Sequence, residues 1–275
     1  AGHDDLGRVG WTGSVAMGDS FFFGAEDDIT GFEPWGYNTS NGTFWQIADI
    51  YPTEGNLGDS QPFNNMDQAS MPIFDRDGDG IEDTLYFTAE SDWGDAEWWA
   101  YSDLNATTWQ VSDSISHDGY RGMSVIEQVI IGDAFYFKAD TRPLESGGTE
   151  WWAYDTSNDS MWVSSDQPYG GSHQYNPVLV GDTIYYMGYG SEILNDPDGT
   201  GYEIWAHDTS NASTWQVADM FPGSGSGRYM RPYLAGDTIY FACSTGTTGF
   251  ELCAHDTSNA STWLVMDIAP GPNNG

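Results

Sequence analysis

The residues from Asp75 to Asp83 read Asp-Arg-Asp-Gly-Asp-Gly-Ile-Glu-Asp. Carboxylates stand at loop positions 1, 3, 5 and 9 (Asp75, Asp77, Asp79 and Asp83), and the Ile81 carbonyl stands at position 7. This all-oxygen set suits a hard cation such as Ca2+, and Gly78 and Gly80 let the chain fold tightly around one. An EF-hand is excluded, because position 12 is Tyr86 instead of a bidentate Glu and strand-like sequence follows instead of a helix. The competing reading is a solvated acidic turn, in which five carboxylates within nine residues repel one another without a cation. A sparser second candidate is Asp196 and Asp198, in Asn195-Asp196-Pro197-Asp198-Gly199-Thr200, which also reads as a plain Pro/Gly turn.

Three other groups could do chemistry. Asn41, Asn105, Asn158, Asn211 and Asn259 each begin an Asn-X-Ser/Thr tripeptide, and Asn38 begins a sixth. Such tripeptides accept N-glycans on exposed secreted loops, although Asn in turns and Ser/Thr at strand starts also produce them. Cys243 and Cys253 are the two cysteines. In a secreted chain they pair as a disulfide; otherwise they are two small buried hydrophobes. The scarce cationic residues Arg121, Arg228 and Arg231 fall near His173, Tyr175 and Tyr229 in non-repeating connections. They form a candidate ligand or interface patch for a glycan, a carboxylate or an acidic surface, against the plainer reading that Arg offsets nearby Asp.

What positions these residues is an internal repeat. A Glu is followed twelve residues later by a Trp and four residues after that by an Asp, five times: Glu33/Trp45/Asp49, Glu97/Trp109/Asp113, Glu150/Trp162/Asp166, Glu203/Trp215/Asp219 and Glu251/Trp263/Asp267. A period of 48 to 64 residues signals one supersecondary unit copied along the chain. In the fourth copy the unit divides into strand-like runs at 177–180, 183–187, 202–207 and 214–219, with Gly181-Asp182 between the first two and Asp208-Thr209-Ser210-Asn211 between the last two. β-Branched and aromatic residues fill the runs, and no helical period occurs.

The third run reads Glu-Pro-Trp-Gly-Tyr, Glu-Trp-Trp-Ala-Tyr twice, Glu-Ile-Trp-Ala-His and Glu-Leu-Cys-Ala-His. Alternation places Glu, Trp and Tyr/His on one face and an apolar then a small residue on the other, so both faces are covered. The Glu-to-Trp spacing never changes, whereas the loop before the Glu grows by three residues in the third copy and by seven in the fourth. Strand pairs resist such growth and blade-edge loops absorb it. The expected fold is all-β: one five-bladed β-propeller over residues 1–275, four antiparallel strands per blade, with blades at about 8–51, 70–115, 124–167, 176–221 and 230–269. Asp83 precedes Glu97 by 14 residues, as Asp19 precedes Glu33 and Asp237 precedes Glu251, so the acidic loop should replace an ordinary Gly-Asp turn between two strands.

Gly-Asp-Thr-Ile-Tyr-Phe (236–241), Gly-Phe-Glu-Leu (249–252) and Val-Ala-Asp-Met-Phe-Pro-Gly-Ser-Gly-Ser (217–226) resemble the "ELW" repeats of secreted bacterial and archaeal proteins. The resemblance covers essentially the whole chain and implies an extracellular β-propeller; it implies little about activity. Cys253 departs from the pattern, standing where other copies have Trp. The Asp75–Asp83 loop resembles the calcium loops of FG-GAP and VCBS propeller repeats.

The formal net charge is −35, with 42 acidic residues against 7 basic ones. Bare nucleic acid and anionic membrane surfaces are therefore poor partners, and no apolar stretch approaches the length of a membrane span. Such a charge suits high salt, divalent cations or a well-solvated secreted surface. The chain begins Ala1-Gly2-His3 without Met, the kind of start left when a signal peptide is removed, so an extracellular or cell-surface location is expected. No Ser/His/Asp set, zinc spacing or phosphate loop stands out. Five-bladed propellers include glycosidases that use carboxylates converging on a pore. Here the Glu and Asp of the register recur in every copy, which marks those carboxylates as structural. The expectation is a non-enzymatic calcium-binding propeller that associates with copies of itself in a surface layer or filament. The alternative is a carbohydrate-binding or adhesive module recognising extracellular glycans.

Overall fold

The computed structural model describes residues 9–52, 58–63, 71–92, 96–112, 128–140, 149–165, 175–189, 202–220 and 232–271. Twenty-one strands and no helix occur among them. The first sheet runs in chain order through β1 (Val9–Met17), β2 (Ser20–Asp27), β3 (Gly31–Asn38) and β4 (Phe44–Gln46), and β5 (Gly58–Asp59) adds a parallel pairing to β3. The second sheet is β6 (Ile73–Phe74), β7 (Thr84–Glu90), β8 (Ala96–Ser102) and β9 (Thr107–Gln110). The third is β10 (Gln128–Ile131), β11 (Ala134–Asp140), β12 (Thr149–Asp155) and β13 (Ser160–Ser165). The fourth is β14 (Tyr175–Val180), β15 (Thr183–Tyr189), β16 (Tyr202–Asp208) and β17 (Ser213–Ala218). The fifth is β18 (Tyr233–Ala235), β19 (Thr238–Cys243), β20 (Glu251–Asp256) and β21 (Ser261–Met266).

Turn chemistry sets the registers. Gly18, Gly132, Gly181 and Gly236 open the first hairpins at φ between +56° and +61°, the left-handed region that glycine enters without a Cβ penalty. The carbonyl of the Asp that follows accepts a backbone hydrogen bond from the turn between the third and fourth strands: Asp19 from Thr39, Asp133 from Thr156, Asp182 from Thr209 and Asp237 from Thr257. In the second sheet Asp83 fills that place, and its carbonyl accepts from Asp103. The acidic loop is therefore an enlarged version of the Gly-Asp turn.

The chain divides into two compact units, Ala1–Asp140 with Tyr154–Met161, and Thr141–Ala153 with Trp162–Gly275. The first holds the first two sheets, β10 and β11. Its core is aromatic: Phe22 meets Tyr101 at 5.5 Å between ring centroids, Trp98 meets Phe135 at 4.8 Å, and Phe63 meets Phe87 at 5.0 Å. The segment 58–63 bonds to the first sheet through Ser60 N–H to the Phe32 carbonyl, and to the second through Phe63 N–H to the Thr88 carbonyl and Glu90 N–H to the Ser60 carbonyl. Backbones approach closely here, since a Cβ on Gly31 would lie 1.7 Å from the Gly58 carbonyl oxygen. The second unit holds the fourth and fifth sheets around Tyr185, Met187, Ile204, Ile239, Phe241 and the two cysteines.

Candidate functional site

The acidic loop joins β6 to β7. Asp75, Asp77 and Asp83 bring one carboxylate oxygen each within 4.8 Å of one another. Asp75 organises the loop: its two oxygens accept backbone N–H bonds from Gly78 at 2.7 Å, Asp79 at 3.2 Å and Gly80 at 2.7 Å. The bond from Gly80 leads the interactions that hold this carboxyl below the usual Asp range. Gly78 and Gly80 adopt φ of +79° and +89°, which the tight path requires. Asp83 is buried; it accepts from the Arg76 and Asp77 backbone at 3.2 and 3.3 Å and from the Thr84 hydroxyl. Asp79 stands outside this group, and its carboxylate accepts the Ile81 N–H at 2.8 Å. Three oxygen donors at this spacing, with no nitrogen or sulfur among them, fit a hard divalent cation.

Arg76, at position 2, points away from the triad. Its guanidinium bonds to Asp159 at 2.8 Å, lies 5.5 Å from the Trp109 ring centroid, and shares Asp159 with the Tyr154 hydroxyl. The sequence reading missed this tie. A signal was present: the position after the sequon Asn is Gly42, Ala106, Ala212 or Ala260 in the other copies and Asp159 only here.

The recurring Glu proves to be a buried anchor. Glu33, Glu97, Glu203 and Glu251 are at most 3 % exposed. Glu33 accepts from the Ile50 N–H at 3.0 Å, Glu203 from Met220 at 3.0 Å and Glu251 from Ile268 at 2.6 Å, in each case the residue after the repeat's Asp. The side chain thus fastens the chain just past the fourth strand to the third. In the second sheet Ser112 takes part: its hydroxyl donates to Glu97 and accepts from the Trp98 N–H. Burial pushes the Glu33 carboxyl up to about 7, aided by the Asp49 charge and opposed by hydrogen bonds from Ile50, Ser60 and Tyr51. The recurring Trp lies opposite a small residue on β3, β8, β16 or β20, and a Cβ on Gly36 would approach the Trp45 ring to 2.4 Å.

The turns carrying Asn41, Asn105, Asn158, Asn211 and Asn259 are exposed, and the residue after each Asn adopts φ between +53° and +75°. Asn38 ends β3, half-buried. Cys243 and Cys253 are bonded across β19 and β20 with their Cα atoms 5.8 Å apart. A Ser–His pair also occurs: Ser164 Oγ lies 2.7 Å from His207 Nε2, and His207 Nδ1 lies 2.9 Å from Thr214 Oγ1. Both members are buried, and a hydroxyl stands where a catalytic triad has a carboxylate, so the pair joins strands and no substrate reaches it. Asp196, Asp198, Arg121, His173, Arg228, Tyr229 and Arg231 lie outside the described residues, and of Tyr175 only the strand backbone is described.

No family model matches the chain, and no curated protein matches it. Solved structures do. A structure from a study of two prolyl endopeptidases aligns at TM-score 0.51 and 12 % identity over 94 % of this chain and 36 % of its own. The β-propeller domain of the Trilobed protease from Pyrococcus furiosus aligns at 0.48 and 10 % over 96 % and 72 %. TolB from Acinetobacter baumannii aligns at 0.44 and 14 % over 93 % and 53 %. The chain thus spans about half of TolB's length and about a third of the endopeptidase chain. At such identities the likeness concerns fold alone. The succession of antiparallel four-strand sheets, each in chain order, is itself the blade pattern of a β-propeller fold.

Proposed function

We propose that the chain is an extracellular five-bladed β-propeller, stabilised by Ca2+ at Asp75, Asp77 and Asp83, that serves as a non-enzymatic structural subunit associating with copies of itself. The observation that carries this reading is the acidic loop. Four sheets make their first hairpin with a two-residue Gly-Asp turn, whereas the second inserts a loop that gathers three carboxylates within 4.8 Å. Among the described residues Glu33, Glu203 and Glu251 are engaged as backbone anchors, which speaks against their use as an acid pair for hydrolysis. Copies of a chain at −35 repel one another, and divalent cations remove that obstacle to packing in a layer or filament.

The test is a calcium titration of the metal-stripped protein, with thermal unfolding and negative-stain images taken with and without EDTA. Calcium at a hundredfold excess over Kd should stabilise by about 2.7 kcal/mol, Asp83→Asn should abolish the gain, and EDTA should disperse assemblies. Unfolding that ignores calcium sinks the metal site. Monodisperse particles under both conditions sink assembly.

One observation favours the carbohydrate-binding reading. Trp162, Trp215 and Trp263 recur on the fourth strands at 39 to 40 % exposure, and partly bare indole faces can stack on sugar rings. Retention on a glycan array that is lost on changing these tryptophans to alanine would favour it over assembly.

A further inference from the structure

The five sequon turns share a backbone and differ in what holds the asparagine. In every turn the Asn Oδ1 accepts the backbone N–H two residues on, at 2.9 to 3.2 Å. In three turns the side-chain nitrogen is also held. Nδ2 of Asn158 donates to Asp155, that of Asn211 to Asp208 and that of Asn259 to Asp256, each at 2.8 Å. These carboxyls are kept below the usual Asp range, first by the neighbouring Ser hydroxyls, so the acceptor is charged and the hold is charge-assisted.

Asn41 and Asn105 lack that hold. The equivalent positions are Asn38, whose Oδ1 is taken by Ser40 and the Asn41 backbone N–H, and the buried Ser102. Both turns also carry Thr two residues after the Asn, where the others carry Ser. The Thr43 and Thr107 hydroxyls donate to their own Asn Oδ1 at 2.7 and 2.6 Å. Two donors on the amide oxygen draw electron density toward it and make the Nδ2 hydrogens more acidic. Among the described contacts the Ser160, Ser213 and Ser261 hydroxyls make no such bond. The Asn158 turn is further engaged, because its Asp159 pairs with Arg76.

We propose that Asn41 and Asn105 are the N-glycan acceptors of this protein, and that Asn158, Asn211 and Asn259 are sequons locked by their own aspartates. The donor is an oligosaccharide linked through phosphate to a polyprenol, and a membrane oligosaccharyltransferase catalyses the transfer. Nδ2 bonds to the anomeric carbon, the anomeric C–O bond to phosphate breaks with its electron pair leaving on the lipid phosphate, and one Nδ2 proton passes to a base of the transferase. At Asn158, Asn211 and Asn259 the nitrogen must first leave a carboxylate. Asn38 accepts the same pair of bonds from Ser40, and is set apart by its half-buried strand end and by Thr39, whose N–H and hydroxyl both bond to the Asp19 carbonyl.

The inference rests on the extracellular reading for its setting, and its test does not. Purified, folded, unglycosylated protein is incubated with the transferase and a polyprenyl-linked oligosaccharide, and occupancy of each site is read by glycopeptide mass spectrometry. Initial rates at Asn41 and Asn105 should exceed those at the other three by about tenfold or more, the factor for releasing one hydrogen bond to a charged group. Asp208→Ser combined with Ser213→Thr should raise Asn211 to the level of Asn105. Equal rates at all five sites, no transfer to any, or an unmoved Asn211 in the double variant would overturn the proposal. Fractionation of the native cells answers separately whether the chain is exported.

Discussion

At the hairpin between its first two strands the second sheet uses nine residues, Asp75 to Asp83, where the fifth uses Gly236-Asp237. Both keep the Asp carbonyl that accepts from the far turn, and both bury the repeat's Glu against the fourth strand. They differ in reinforcement. The second sheet packs Trp98 at 0 % exposure between Phe135 and Phe137 and adds an acidic loop. The fifth has Leu252 and Cys253 at the corresponding positions and closes a disulfide. Trp35, Trp99, Trp152 and Trp205, the counterparts of Cys253, each bury an indole N–H that finds no acceptor. Replacing such a Trp by Cys removes that unpaired donor and a large packing volume together, and the covalent link compensates. A repeated frame can thus be held by aromatic packing or by a crosslink, provided its backbone bonds stay constant.

The largest effect should come from Trp98→Ala, about 3–5 kcal/mol, with the half-buried counterpart Leu252→Ala nearer about 2 kcal/mol. Urea unfolding with hydrogen exchange resolved at β8 and β20 measures both. Equal costs would show that the two sheets are packed alike and break the contrast. Reducing the disulfide, or Cys253→Ala, should cost about 2–4 kcal/mol. The loss should appear in the amides of β19 and β20, while those of β7 and β8 keep their protection in dithiothreitol. Loss shared by both sheets would mean that the crosslink serves more than its own sheet.

The smallest effect extends the comparison to the first sheet. Glu33 has its carboxyl raised from 4.5 to about 7. Between those values the folded chain holds a proton that the unfolded chain has released. Its contribution therefore falls as pH rises from about 4.5 to about 7 and is level above that. Glu33→Gln should remove this part of the pH dependence, read as the change in urea midpoint between pH 5 and 7.5. An unchanged slope would assign it to other groups.

Much of the frame was legible because it repeats. The invariant spacing from Glu33 to Trp45, and the insertions before Glu150 and Glu203, separate strand pairs from loops without any structure. The place of Asp83 followed from counting back from Glu97, and the Asp133–Thr156 and Asp182–Thr209 bonds absorb the same three and seven inserted residues. The parallel strand β5 was not legible. Gly58-Asp59 has no strand propensity, and its pairing comes from close backbone approach around Gly31. The partner of Arg76 left only the trace that Asp159 breaks the repeat, since it lies 83 residues away.

The sequence by itself determined the five-copy strand pattern, the turn chemistry, and which oxygen atoms could meet in the acidic loop, because these depend on residues close in the chain. Only the tertiary structure decided that Asp79 stands outside the triad, that Glu33, Glu203 and Glu251 accept from the chain just past a fourth strand, and that three sequon asparagines are held by aspartates while two are not. Those outcomes depend on which hydrogen-bond donors burial brings within about 3 Å, and spacing alone does not encode that.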